Sequence, residues 1–282
     1  MTPALTIHDA ILRAREELKD VSDSPGSDAQ LLLAHILNCS RAWILAHPEY
    51  ELDNIERKRF LQSLERYTSG DPLPYILGWW EFYGRRFRID ESVLIPRPET
   101  EILVELALDY FHNHPYSRFA LDVGTGSGCI SVSLLAEVDD LQMVATDISY
   151  GALKIARDNA IDHAVETSVH FVQMDLMTSL KGNFDLICSN LPYIATDTLK
   201  GLKVAQKEPW LALDGGKDGL IHMRHLLEGV PRYLRPGGCV FLEIEAGTGR
   251  KVFELAKTYH AMAELEIHPD LAGNDRVLTI KY

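Results

Sequence analysis

Cysteine is scarce in this 282-residue chain: there are four, Cys39, Cys129, Cys188 and Cys239, and no two form a CxxC pair. Their scatter excludes the usual zinc spacings and a redox dithiol, and it fits a reducing compartment. A basic excess is missing too. Aspartate and glutamate number 41 against 28 lysines and arginines, a net charge of −13, with acidity spread along the chain. Proteins that grip a phosphate backbone normally carry a clustered basic face, so nucleic acid is disfavoured as the main substrate. No apolar stretch reaches the roughly 20 residues that a membrane span needs. The start, MTPALTIHDAILRARE, lacks a basic segment followed by an apolar run, so no secretory signal is expected there. Nor do the 11 histidines supply a ligand set. His222 and His225 stand one helical turn apart without a third partner, and His112 and His114 fall in an expected loop. The absences together describe a cytoplasmic protein with no metal site and no membrane partner.

What is present divides into three segments. Residues 1–69 read as an all-α bundle. Ile7, Ala10, Ile11, Ala14 and Leu18 recur at helical spacing. A second helix is expected from Ser27, with Gln30 in the capping-box position and Leu31, Leu32, Ala34, His35 and Leu37 on its apolar face. A third runs from about Asp53 to Tyr67, where Ser69-Gly70-Asp71-Pro72 stops it. This segment carries no catalytic constellation; packing appendage and docking module for a macromolecular partner are both open readings. Residues 70–97 form a linker in which WWEFYGRRFRID reads as a β-hairpin about Gly84. Trp79 and Trp80 are read as hairpin packing rather than a stacking platform. Residues 98–282 open on a helix, with Pro98 and Glu99 suited to its first turn. Strands then alternate with helices at FALDV, QMVATD, VHFVQ, FDLICSN, CVFLEI, ELEIH and RVLTIKY, which implies a covered, mostly parallel sheet ending in an antiparallel strand.

The first of those strands runs into a glycine loop, DVGTGSGCIS. A dinucleotide fingerprint needs a glycine at the sixth position, where this loop has Cys129 after Gly124, Gly126 and Gly128. Asp122 also closes the strand. An acid followed by bare backbone suits a cationic ligand without phosphate, such as S-adenosylmethionine, better than a pyrophosphate. Asp147 ends the second strand, where a carboxylate can accept both ribose hydroxyls. Asp175 and Leu176 end the third and can meet an adenine amino group and ring face. A simple cap role is the competing reading for both acids.

The fourth strand ends in Asn190-Leu191-Pro192-Tyr193, and ligands in open α/β sheets bind beyond such strand ends. An amide nitrogen is a poor nucleophile, so a catalyst must hold its N–H groups and aim it. The Asn190 side-chain carbonyl and the Leu191 backbone carbonyl can each accept one N–H, while Tyr193 packs against the planar group.

Asn-Pro-Pro-Tyr is the signature of methyltransferases acting on planar amino groups; here Leu191 replaces the first proline. The residue before Pro192 is still pushed to extended backbone, so activity is expected to survive the change. With YILGWWEFYGRRFRID, VLIPRPETEILVE, EPWLALDGGKDGL, LRPGGCVFLEI and AGNDRVL, the chain from Pro74 onward resembles the release-factor glutamine methyltransferases (the HemK/PrmC type). Glu245-Ala246-Gly247-Thr248 departs from the family's usual glycine and Gln-rich helix start. The resemblance implies a Rossmann-like seven-stranded mixed sheet, the class I methyltransferase fold, with a small N-terminal helical docking domain. It implies S-adenosyl-L-methionine as cofactor, leaving S-adenosyl-L-homocysteine, held by Asp122, Gly124, Thr125, Gly126, Ser127, Gly128, Asp147, Asp175, Leu176 and Asn190. Asn190 and Tyr193 become the catalytic pair. Arg97, Pro98 and Glu99, with Asn190, Leu191, Pro192 and Tyr193, line the acceptor side, and Glu208-Pro209 border it. The implied partner is a class 1 peptide chain release factor, methylated on the glutamine of its Gly-Gly-Gln motif by a monomeric enzyme. Competing readings are a glutamine of a ribosomal protein, adenine N6 in DNA, or a cofactor-binding docking protein that has lost catalysis. A nicotinamide dehydrogenase is disfavoured by Cys129.

Overall fold

Ile7, Ala10, Ala14 and Leu18 are fully buried in the computed structural model, which describes residues 5–282. They share one face at the start of a compact unit that ends at Gly78; a second unit runs Trp79–Tyr282. In the first, β1 (Leu5–Thr6) leads into α1 (Ile7–Glu17), capped by a Thr6/Asp9 capping box. Then come α2 (Pro25–Ile36), α3 (Arg41–Ala46), β2 (Glu51–Leu52), α4 (Asn54–Thr68) and α5 (Leu73–Leu77). Ile7, Leu18, Leu33, Ile44, Phe60 and Leu64 form its core.

Two details differ from expectation. The α2 helix starts at Pro25, ahead of Ser27, because proline at a helix start loses no hydrogen bond. The nearby Asp28 carboxylate is instead taken by the Ser22 and Tyr67 hydroxyls, at 2.5 and 2.6 Å. And β1 pairs antiparallel with β2, Leu5 opposite Leu52, a two-residue ribbon too short to leave a periodic signal.

The second unit opens with the hairpin β3 (Trp79–Phe82) and β4 (Arg85–Arg88). Its turn residues Tyr83 and Gly84 both have positive φ, 49° and 67°, as a type I′ turn requires. The Glu101 carboxylate accepts the Tyr83 N–H at 2.7 Å, and the Arg86 guanidinium lies 3.9 Å over the Trp79 ring. The next helix, α6 (Thr100–Asn113), holds His112 in its last turn.

From there the chain alternates as β5 (Phe119–Val123), α7 (Cys129–Glu137), β6 (Gln142–Asp147), α8 (Tyr150–Asp162) and β7 (Val169–Gln173). It continues as β8 (Phe184–Ser189), α9 (Thr196–Leu199), α10 (Ile221–Gly229), β9 (Leu234–Glu243), α11 (Gly249–Tyr259), β10 (Glu264–Pro269) and β11 (Asp275–Lys281). The seven-stranded sheet has the order β10-β11-β9-β8-β5-β6-β7, with β11 antiparallel to both its neighbours and the rest parallel. This is the expected mixed Rossmann-like sheet. Chain progress goes outward from β5 to β7 and resumes at β8 on the other side of β5. The loops after β5 and β8 therefore part at a topological switch point, where such sheets bind ligands. All six residues of β8 are buried, as a strand covered on both faces must be.

Candidate functional site

Register decides which residues meet. Val123, ending β5, pairs with Ser189, ending β8, and Ser189 pairs in turn with Leu242 of β9. The glycine loop, the Asn190 tetrapeptide and Glu243 thus leave three adjacent strands at one edge. The Ser189 hydroxyl reinforces the first pair by donating to the Val123 carbonyl at 2.7 Å.

The loop is stitched to β6. Gly124 and Thr125 N–H both donate to the Thr146 carbonyl at 2.9 Å, and Gly126 N–H donates to Asp147 Oδ2 at 2.9 Å. Gly128 has φ of 79°, and a Cβ there would stand 3.1 Å from Ala156 Cβ, so helix α8 packs directly on the loop. A Cβ on Gly126 would meet nothing within 4 Å; its backbone lies open to a cavity of about 280 Å³. That is close to the lower end of ordinary small-molecule sites, roughly 300–1,000 Å³. Asn159, fully buried, braces the loop by donating to the Ser127 carbonyl at 2.8 Å while its amide brackets Arg88 of β4.

The sequence-expected residues fall into two sets. Arg97, Gly124, Thr125, Gly126, Ser127, Asp147, Asp175, Leu176, Asn190, Leu191 and Pro192 line this same cavity. Asp122, Gly128, Pro98, Glu99 and Tyr193 stand outside its wall. Asp122 is fully buried, accepts the Thr125 hydroxyl at 2.7 Å and leaves its other oxygen without a hydrogen bond. Burial pushes its carboxyl up to about 6. Glu99 faces Arg276 at 3.5 Å. Arg97 is fixed by the buried Glu208 at 2.5 Å, and the other Glu208 oxygen accepts the Ile95 N–H at 3.1 Å.

Asp147 has both oxygens on backbone donors, Gly126 N–H and Ser149 N–H at 2.8 Å, and each keeps a lone pair for a further donor. Burial raises its carboxyl against those bonds. Leu176 has φ of 50°, a left-handed conformation that costs a leucine. The Thr146 hydroxyl, donating to the Leu176 carbonyl at 2.8 Å, helps hold it. Leu191, where the signature has proline, is buried in the cluster of Leu121, Val123, Leu220 and Met223. Its Cδ2 would be 3.1 Å from a Cβ on Gly124, so the tetrapeptide and the glycine loop are packed face to face.

Sequence reading missed Thr100 and Glu243. Asn190 Nδ2 donates to Thr100 Oγ1 at 3.2 Å, Thr100 Oγ1 donates to Glu243 Oε2 at 2.6 Å, and the Tyr193 hydroxyl donates to Glu243 Oε1 at 3.3 Å. Burial and the Glu243 charge raise the Tyr193 phenol, which stays protonated. It also missed the grip of DGGKDGL on Tyr193. Ile194 bridges to Asp214, Gly215 N–H donates to the Ile194 carbonyl at 2.8 Å, and a Cβ on Gly219 would lie 2.3 Å from the Tyr193 carbonyl oxygen. The three glycines of that block were the available signal.

S-adenosylmethionine presents an amino-acid arm with an ammonium and a carboxylate, a cationic sulfonium, a ribose diol and an adenine ring. The unpartnered Asp122 oxygen, the open glycine loop, the two-sided Asp147 carboxylate and the apolar Ile148 and Leu176 fit those groups. Among the described residues no cluster of potential metal ligands is present, and no helix is long and apolar enough to cross a membrane.

Two family models match the chain: the PrmC N-terminal domain over residues 9–78 and the methyltransferase small domain over residues 100–207. The release factor glutamine methyltransferase of Nitratidesulfovibrio vulgaris is 40% identical, across 99% of this chain and 97% of its own. That of Moorella thermoacetica is 39% identical, across 90% of each. Among solved structures, the T. thermophilus 16S rRNA N2 G1207 methyltransferase, in complex with AdoMet and guanosine, superposes with a TM-score of 0.51 at 17% identity. That match covers 72% of this chain and 49% of that one, a likeness of fold.

Proposed function

The chain belongs to the release factor glutamine methyltransferase family, and on that premise we propose how its crevice performs that family's reaction. The enzyme uses S-adenosylmethionine to methylate the side-chain amide nitrogen (N5) of a release-factor glutamine, that of the Gly-Gly-Gln motif of class 1 factors. The observation that carries this reading is the placement of Asn190 in the wall of the cavity the glycine loop opens onto, its amide nitrogen already engaged by Thr100. Its carbonyl is then the end left for an acceptor N–H.

When bound, the cofactor supplies an electrophilic methyl group. Gly124–Gly128 would hold its amino-acid arm, with the Asp122 charge behind the loop favouring the ammonium. Asp147 accepts the ribose hydroxyls, and Asp175 with Leu176 takes the adenine. On the acceptor side, the Asn190 Oδ1 and the Leu191 carbonyl receive one amide N–H each, which turns the nitrogen toward the methyl. Tyr193 supports the planar amide, and Arg97, with Pro98 and Glu99 beside it, borders the entrance. Most of the acceleration in this scheme comes from orientation.

Residues 1–69 serve as the docking element, 70–97 as the link and 98–282 as the catalytic domain. The groove along α4 lined by Asn54, Arg57, Lys58, Leu61, Gln62 and Glu65 offers the docking element a mixed-charge surface. The enzyme acts as a monomer in the cytoplasm, where its four free cysteines stay reduced.

The test is mass spectrometry of a purified release factor after incubation with enzyme and S-adenosylmethionine. One methyl on the Gly-Gly-Gln glutamine, absent from a Gln→Ala substrate, is expected; methyl on DNA or a ribosomal protein instead overturns the substrate assignment. Asp147→Ala is expected to weaken S-adenosylmethionine binding by about 10²- to 10⁴-fold by calorimetry, the worth of two lost charge-assisted hydrogen bonds. Unchanged affinity would remove Asp147 from the cofactor site.

A further inference from the structure

The reaction as described gives Glu243 no task, yet this acid is the last residue of β9, only 2% exposed, and wired to both catalytic side chains. We infer that Glu243, acting through Thr100, is a positioning residue that fixes which end of the Asn190 amide faces the acceptor. The inference rests on the methyl-transfer reading and deepens it.

The two ends of an asparagine amide have nearly the same shape, so only hydrogen bonding decides which way it points. An ionised carboxylate accepts and never donates. Glu243 Oε2 therefore claims the single proton of the Thr100 hydroxyl, at 2.6 Å. Thr100, with its proton committed, presents only lone pairs to Asn190. It selects the amide nitrogen, at 3.2 Å, and leaves Oδ1 for the crevice. The polarity runs one way along the relay: Asn190 donates to Thr100, Thr100 donates to Glu243, and the Asn190 oxygen is left facing the crevice. Oε1 applies the same rule to Tyr193, drawing its proton at 3.3 Å and so fixing the ring. Thr100 is itself 2% exposed, so water does not substitute for either bond.

The relay depends on the charge of Glu243. Burial pushes its carboxyl up to about 7, against the hydrogen bonds from Thr100 and Tyr193. The charged groups facing it are Glu99 at the start of α6, which raises it, and Arg276 on β11, which lowers it. The Cys129 thiol of α7, pushed up to about 12 by burial, and the raised Tyr193 phenol remain neutral. Below that value the carboxyl carries a proton of its own. Thr100 is then free to donate toward Asn190, the amide turns over, and its NH₂ opposes the N–H of the substrate. Turnover should consequently fall as pH drops through about 7, ahead of any weakening of cofactor binding as Asp122 takes up its proton near 6.

The experiment uses the full-length enzyme with a purified release factor. Single-turnover rates are taken between pH 6 and 9, alongside calorimetric S-adenosylmethionine affinity and thermal melting. Thr100→Val should slow methyl transfer by roughly 10- to 100-fold with cofactor affinity little changed and the melting temperature lowered by only a few degrees, the cost of the unpaired Glu243 oxygen, and Thr100→Ser should restore the rate to within about threefold. Glu243→Gln should lower the rate about tenfold and flatten the acid limb seen in the native enzyme. Native rates in Thr100→Val overturn the relay, as do rate losses that track lost affinity or melting, or a Ser variant as slow as the Val one. If the native enzyme itself methylates no release factor, the underlying reading fails, and the relay falls with it.

Discussion

Asn190→Ala is expected to slow methyl transfer by about 10²–10³-fold, the cost typical of removing one preorganised polar group aimed at a reacting centre. The same variant should bind S-adenosylmethionine nearly as well as the native chain. On the proposed reading the two effects separate because Asn190 sits at the junction of two half-sites, one for the cofactor and one for the acceptor. The cofactor half is built from the loop after β5 and the ends of β6 and β7, and its bonds among Gly124, Gly126, Thr146 and Asp147 do not pass through Asn190. The acceptor half depends on the Asn190 amide, whose nitrogen is held by Thr100. Deleting that side chain leaves the acceptor amide with the Leu191 carbonyl alone, and an amide held at one point can swing away from the line of transfer. Rapid-quench turnover against calorimetric affinity distinguishes the cases. Full turnover in Asn190→Ala would remove the side chain from the mechanism; lost cofactor binding would move it to the other half-site.

Gly219→Ala should damage both stability and turnover. Its φ is 77°, and a Cβ would come within 2.3 Å of the Tyr193 carbonyl oxygen, which is backbone and cannot swing aside. The left-handed conformation alone costs an alanine on the order of 1–2 kcal/mol. Relieving the clash requires Tyr193 to move, and a displacement of about 1 Å near a reacting group can cost 10²-fold in rate. Gly84→Ala is the matched control. Gly84 has a φ of 67° but open space around it, so it carries the backbone cost without the collision. Urea denaturation and turnover of the pair should show a shared small loss of stability, with a further loss of both quantities confined to Gly219→Ala. Equal behaviour of the two variants would mean that the loop does not grip Tyr193.

The seven strands of the sheet were readable because each is a short apolar run bounded by glycine, proline or aspartate, and because helices separate the first three; the helix expected between VHFVQ and FDLICSN is absent, its place taken by turns. That Gly124, Asp147, Asp175 and Asn190 line one cavity was readable for a related reason: each lies at a strand end, and strand ends share an edge. Glu243 also ends a strand, but nothing local marks it. Its partners Thr100 and Tyr193 lie 143 and 50 residues away; the packing of α6 on β9 brings up the first and the β8–β9 register the second. Asn159 was hidden in the same way, a polar residue in an amphipathic helix whose partners Arg88 and Ser127 belong to other elements. Helix α2 was misplaced at its start because Ser27 and Gln30 mimic a cap, whereas the local polar groups are spent on Ser22, Asp28 and Tyr67.

Leu191 changes where the tetrapeptide gets its stiffness. A proline ring is rigid by covalent geometry and stays so in any surroundings. A leucine is rigid only while its neighbours hold it, and here those neighbours are the interior of the catalytic unit, from Val123 to Met223. The aim of Asn190 is therefore mortgaged to the state of the core. Mild loosening of the interior, by warmth, pressure or a distant cavity, reaches the reacting group well before the chain unfolds, so that catalysis in this enzyme doubles as a gauge of how tightly its centre is packed.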